Sequence, residues 1–148
     1  MKDFNEYISK EIVRKRSPNK ERADSLIEDS DKRRFFFNQI IEKIEINDSN
    51  ANYIIEQVYD ILIELIRAKT FLDGYEASGN YAHEAEVSYL KEINFSELER
   101  NTMDNIRKFR NGIKYYGRRY AKNEAEESIK FMNSILPKLK KLLKDGAA

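Results

Sequence analysis

Between Ala51 and Leu72 the apolar residues fall in two adjacent rows, Ile54, Val58, Ile61, Leu65, Ala68 and Leu72 in one and Ile55, Tyr59, Leu62 and Ile66 in the other. Steps of three and four set each row along one side of an α-helix, and two rows together make an apolar face too wide for a single neighbour. Such a helix belongs at the centre of a bundle. The 148 residues can supply one domain around it, with 41% hydrophobic residues for a core and 36% charged residues for exposed faces. Five glycines and two prolines are too few for the many turns of a sandwich or barrel. The expected fold is therefore all-α, an antiparallel bundle of five to six helices.

Residues 2–16 alternate charge with Phe4, Tyr7, Ile8, Ile12 and Val13, which predicts an additional N-terminal helix over residues 1–16, ahead of a bundle spanning 17–148. Ser17 is placed as an N-cap with Pro18 in the first helical position, opening a helix to about Ile46 that turns Ala23, Ile27, Ser30, Phe37, Ile41 and Ile44 inward. Phe35, Phe36 and Phe37 cannot all face the core of one helix, which leaves some for an interface. Asp48 or Ser49 can cap the central helix. Gly74 and Gly79 bracket a loop over 73–80, and Tyr81 to Ile93 predicts a short helix. Ser96, followed by Glu97 and Glu99, has the pattern of an N-cap with acids in the first turn. From there Ile106, Phe109, Ile113, Tyr116 and Tyr120 continue one apolar seam. A last helix, about Asn123 to Lys144, carries Ala125, Ile129, Met132, Leu136, Leu139 and Leu143, with a kink expected at Pro137.

Composition also narrows the chemistry. Without cysteine there is no disulfide scaffold, thiol nucleophile, cysteine-ligated zinc or iron–sulfur cluster. A single histidine, His83, rules out a histidine-rich metal site or a two-imidazole relay within one chain. No cofactor or metal is expected. The longest apolar runs, Phe35 to Phe37 and Ile61 to Ile63, are far short of the roughly 20 residues that cross a bilayer. No membrane association is expected, and the N-terminus lacks a signal-peptide pattern, so the expected location is the cytoplasm.

Charge is segregated along the chain. Residues 47–99 hold 3 Lys+Arg against 11 Asp+Glu, whereas residues 100–144 hold 13 against 4. A basic surface for a polyanion can arise from such a distribution even though the whole chain carries only +1. On a helical wheel at about 100° per residue with Arg110 at zero, Lys114, Arg107 and Arg118 lie within about 80° on one side, while the apolar seam centres near −80°. Guanidinium groups match phosphate in a bidentate way. Alternatively, the stripe is a solvated face or pairs with the acidic segment.

The run Arg107-Lys108-Phe109-Arg110-Asn111-Gly112-Ile113-Lys114-Tyr115-Tyr116-Gly117 resembles the signature of the HEPN superfamily. These small helical bundles occur in defence and toxin–antitoxin systems, and their pattern is an arginine, often followed by a polar residue, with a histidine four to six positions on. Upstream, the apolar helix ending Ala68-Lys69-Thr70-Phe71-Leu72-Asp73-Gly74-Tyr75 and the later run Tyr81-Ala82-His83-Glu84-Ala85-Glu86-Val87-Ser88-Tyr89-Leu90 resemble the second and third helices of such domains. The likeness covers about residues 20–144.

The resemblance implies a homodimer whose arginines and histidines meet at the subunit interface and cleave RNA without metal, the 2′-hydroxyl acting as nucleophile. It also implies a minimal nucleotidyltransferase as partner protein. At the histidine position this chain has Tyr115, with Tyr116 beside it. A phenol with a pKa near 10 is a poor general base at neutral pH. Arg110 and Tyr115 are therefore the candidate catalytic pair of a weakened site. Arg107, Arg110, Asn111, Lys114, Tyr116 and Arg118 are the candidate RNA- or nucleotide-binding residues. His83 is assigned to packing between helices. The alternatives are an active metal-independent ribonuclease and a helical protein-interaction module with no nucleic-acid role.

Overall fold

The computed structural model describes residues 2–145 and contains six α-helices with one two-stranded sheet. The fold is an all-α bundle. Residue 1 and residues 146–148, the outer ends of the two expected segments, lie outside the described residues.

The N-terminal segment is not one helix. Helix α1 covers only Phe4–Ser9, the chain then turns through Glu11 at a φ of 62°, and Val13–Lys15 forms strand β1. This strand pairs antiparallel with β2, Tyr75–Ala77, in the register Val13 opposite Ala77. The β-branched pair Ile12-Val13 favours extended backbone, and the partner strand lies some sixty positions away. Phe4, Tyr7 and Val13 are buried, and the Phe4 ring meets Tyr75 edge-on at 5.1 Å and Tyr89 at 4.6 Å. The segment is thus part of the core.

Helix α2 spans Lys20–Lys43, and its N-cap is Asn19, whose side chain accepts from the Arg22 N–H at 3.0 Å. Ser17 and Pro18 instead belong to a connection held against the end of the central helix, because the Arg16 and Asn19 N–H groups donate to the Gly74 and Phe71 carbonyls. Phe37 is buried while Phe35 and Phe36 are each 60% exposed. Helix α2 stops at Lys43, short of the expected Ile46, with Ile44 extended.

The central helix, α3, spans Ala51–Leu72 as the apolar rows predict, and fifteen of its 22 residues are buried. Its N-cap is Asn50, without a side-chain cap bond. Asp48 caps the last helix instead, accepting from the Lys122 N–H at 2.8 Å. Helices α2 and α6 (Lys122–Asp145) are its main neighbours, joined by α4 (Ala82–Ser88) and α5 (Glu97–Tyr116). Ser30 on α2 donates to the Ile61 carbonyl at 2.8 Å inside that contact. At the far end the buried Lys69 and Asp73 pair at 3.1 Å, and the Tyr89 hydroxyl donates to Asp73 at 2.5 Å. The expected helix over 81–93 is shorter: α4 ends at Ser88 and a 3-10 turn follows over Tyr89–Lys91. Helix α6 runs through Pro137 and buries Ala125, Met132, Leu136, Leu139 and Leu143. Among the described residues, no helix is long and apolar enough to cross a membrane.

Candidate anion site at helices 3, 4 and 5

Helix α5 starts where the sequence places it. The Ser96 side chain accepts from the Glu99 N–H, and the Glu99 carboxylate accepts from the Ser96 N–H, so two end donors are satisfied reciprocally. It ends earlier than its apolar seam suggests, because Gly117 takes a left-handed φ of 63°. That conformation suits a residue without Cβ, and it turns the chain out of the helix. Tyr116 is consequently 75% exposed, not buried in the seam, and Arg118 and Tyr120 lie beyond the helix.

Tyr120 still reaches the seam by a chain reversal, its ring 4.7 Å from that of Phe109. The reversal is held by Asn52 on α3, which donates to the Arg118 carbonyl at 2.8 Å and accepts from the Tyr120 N–H at 2.9 Å. Gly112 makes room for it. A Cβ at that position would stand 2.7 Å from the Tyr120 hydroxyl and 3.0 Å from Arg118 Cδ.

The basic residues of α5 differ in their surroundings. The Arg107 side chain, 12% exposed, donates to Asp104 at 2.8 Å and lies 3.8 Å from Glu84, so its charge is answered inside the protein. Arg110 has no carboxylate within 4 Å among the described residues. Its guanidinium carbon sits 5.6 Å from the centroid of the Tyr59 ring, and its Nη1 lies 3.5 Å from Asn111 Oδ1. Lys114 also lacks a carboxylate partner among the described residues, with its ammonium 5.8 Å from the Tyr115 ring centroid. Within α5 the stripe therefore keeps two uncompensated cations, Arg110 and Lys114, one helical turn apart, and Arg118, likewise without a carboxylate within 4 Å among the described residues, follows beyond the end of the helix.

Next to them lies the single histidine. The fully buried Tyr59 brings its hydroxyl within 2.8 Å of His83 Nδ1, and the two rings are nearly parallel. His83 Nε2 faces Arg67 Nη2 at 3.5 Å. Arginine can only donate, so this contact is satisfied with the imidazole proton on Nδ1, donated to the Tyr59 hydroxyl oxygen. Arg67 in turn grips the buried Glu86 through two hydrogen bonds of 2.6 and 3.0 Å. Burial raises the Glu86 carboxyl pKa, and Arg67 pulls it back. Burial, followed by the charges of Arg67, Arg110, Lys114 and Arg107, pushes the His83 pKa down to about 4. Its imidazole is neutral at pH 7.

The sequence singled out Arg110 and Lys114 but missed Tyr59 and Arg67. Tyr59 was hidden among core residues. Arg67 carried a signal only as one of three Lys+Arg in the acidic stretch 47–99, since it continues the polar stripe of Glu56, Asp60 and Glu64 along the central helix. His83 does pack between helices, as assigned, and it also shares the electrostatic field of Arg110. The two tyrosines Tyr115 and Tyr116 are 64% and 75% exposed at the last turn of α5, and Arg118 lies 5.7 Å from the Tyr116 ring centroid. Among the described residues no cluster of three or more His, Asp or Glu side chains is placed to hold a metal ion. Chemically, the arrangement offers two unpaired cations to an anion beside a neutral imidazole.

The low His83 pKa has a consequence for stability. An imidazole that titrates near 6.5 when unfolded and near 4 when folded binds its proton more weakly in the native state. Its contribution is complete above pH 6.5 and is lost as pH falls from there towards 4, at up to about 1.4 kcal/mol per pH unit. Urea melts between pH 4 and 7.5 should show this slope in the native chain, and subtraction of the His83→Gln profile should isolate it. Equal slopes in the two proteins would contradict the assignment.

No family model, curated protein or solved structure is similar to this chain at a significant level.

Proposed function

We propose that the chain is a HEPN-like protein that binds RNA or nucleotides through Arg110, Asn111 and Lys114, with cleavage weak or absent because Tyr115 stands where the motif has histidine. The observation that carries this reading is the pair of uncompensated cations, Arg110 and Lys114, presented from one face of α5 beside a neutral His83. Two unpaired charges a turn apart repel each other mildly, and a phosphate between them removes that cost. The resemblance supplies the biological setting, a defence or toxin–antitoxin pair with a minimal nucleotidyltransferase as partner protein.

Binding to a labelled RNA by fluorescence anisotropy tests the proposal. Affinity should fall with salt, and Arg110→Ala should weaken it by about ten- to a hundredfold, the range for losing hydrogen bonds to a charged group. Each charge removed, at Arg110 or at Lys114, should flatten the log–log salt dependence by about 0.7 for a single strand. Absence of binding at low salt, or an Arg110→Ala variant with native affinity, would overturn the reading.

The proposed assembly is a symmetric homodimer in which α5 lines the interface. A groove of about 490 Å³ between α5 and α6 supports this, since it is walled by Ile106, Phe109 and Phe131, with Leu98 77% exposed at its edge. An apolar side chain that exposed on a helix carrying a groove suits a self-complementary contact. Light scattering at micromolar concentration should give twice the 17.5 kDa chain mass, and Leu98→Glu should shift it towards the monomer. A native monomer would refute the dimer and leave the binding assay to decide the rest.

A further inference from the structure

Resting on the RNA- or nucleotide-binding reading, we infer that Tyr115 and Tyr116 form a stacking platform for the unpaired bases of a single-stranded nucleic acid whose phosphates are held by Lys114 and Arg118. Both phenol rings are mostly exposed, at 64% and 75%, although the bundle buries Tyr7, Tyr59 and Tyr89. They occupy the final turn of α5, where the left-handed Gly117 ends the helix.

Each ring has its own cation, Lys114 at 5.8 Å from the Tyr115 centroid and Arg118 at 5.7 Å from that of Tyr116. Neither cation has a carboxylate within 4 Å among the described residues. A ring with a cation beside it matches the two halves of one nucleotide, a flat base and a phosphate, and the motif is repeated on the next residue. The backbone that positions Arg118 is not loose, since Asn52 holds its carbonyl and its N–H donates to the Gly112 carbonyl at 3.0 Å. Charge selects the class of partner. These rings lie in the basic stretch 100–144, which favours an anionic ligand over an apolar protein surface. A duplex keeps its base faces stacked inside, so exposed phenols fit a single strand.

The test compares a single-stranded RNA, a single-stranded DNA of the same sequence and the RNA duplex, with the native chain and the Tyr115→Ala, Tyr116→Ala and double variants. Single-strand affinity should drop by about five- to a hundredfold for each ring removed. The salt slope should stay unchanged, because no charge is lost. Tyr115→Phe and Tyr116→Phe, which keep the stacking face, should bind like the native chain. Duplex binding should be insensitive to all of them. Equal losses on RNA and DNA would support stacking and assign the ligand as single strands in general, whereas a loss confined to RNA would assign RNA.

Alanine variants that bind single strands at native affinity would overturn the inference, as would equal weakening on the duplex. Unchanged RNA affinity with an altered mass in light scattering would also overturn it, by giving the rings to a protein contact. The underlying reading fails separately: a native chain that binds no nucleic acid at low salt refutes both, while binding that depends on Arg110 but ignores the tyrosines refutes only the platform.

Discussion

Glu86→Ala should lower the stability of the fold by about 3–5 kcal/mol, the usual cost of removing one partner from a buried ion pair. The Glu86 side chain is 2% exposed and Arg67 is 27% exposed, so the guanidinium left behind would be largely out of water without its counter-ion. Two hydrogen bonds, at 2.6 and 3.0 Å, would be lost at once. The damage extends to the site, because Arg67 also faces His83, whose pKa is already held low by burial and then by the charges of Arg67, Arg110, Lys114 and Arg107. A loss of 3–5 kcal/mol should move the thermal midpoint down by about 10 °C or more for a chain of this size. Glu86→Gln keeps the shape and one acceptor, and should lose less. A melt of Glu86→Ala within about 0.5 kcal/mol of the native chain would mean that Arg67 finds water or another partner, and the enclosed character of this wall would have to be abandoned.

Helix positions were legible in the sequence wherever one local signal was sufficient. The two apolar rows of residues 51–72 required neighbours on several sides, and α3 has them. Ser96 with Glu99 encodes its own capping geometry within four residues. The failures share a different cause. Strand β1 depends on Tyr75, Glu76 and Ala77, so within residues 2–16 only the weak extended preference of Ile12 and Val13 pointed to it. Asp48 caps a helix that begins at Lys122 instead of the one beside it in sequence. Tyr120 continues the apolar spacing of α5 on paper, yet it returns to Phe109 by reversing direction after Gly117.

The candidate site was legible only in part, for the same physical reason. A helical wheel gives the direction of a side chain but not what stands opposite it. Arg107 and Arg110 share a direction, yet Arg107 meets Asp104 and Glu84 whereas Arg110 meets the ring of Tyr59. Asp104 answers Arg107 from three residues back on α5 itself, a pair that helical spacing allows, whereas the Glu84 and Tyr59 contacts come from α4 and α3 and arise only on packing.

Tyr115→His should create or raise ribonuclease activity by a factor on the order of 10²–10⁴, the range that a positioned acid–base group contributes. The native chain already has one imidazole near Arg110, but His83 is unsuited to the task. Its two ring nitrogens face Tyr59 and Arg67, and its pKa of about 4 leaves no imidazolium acid at neutral pH. Position 115 differs on both counts. It is 64% exposed, so an imidazole there should titrate near its ordinary value of about 6.5 and exchange protons freely. A phenol cannot serve as an imidazolium acid, which is why the unmodified chain is expected to cut RNA weakly or not at all. Activity gained by Tyr115→His should peak near the imidazole pKa, leave cyclic phosphate ends on the RNA, and vanish when Arg110→Ala is added. Strong cleavage by the native chain that is abolished by Tyr115→Phe would instead make the phenol itself catalytic and reverse the order of binding over chemistry proposed for this site.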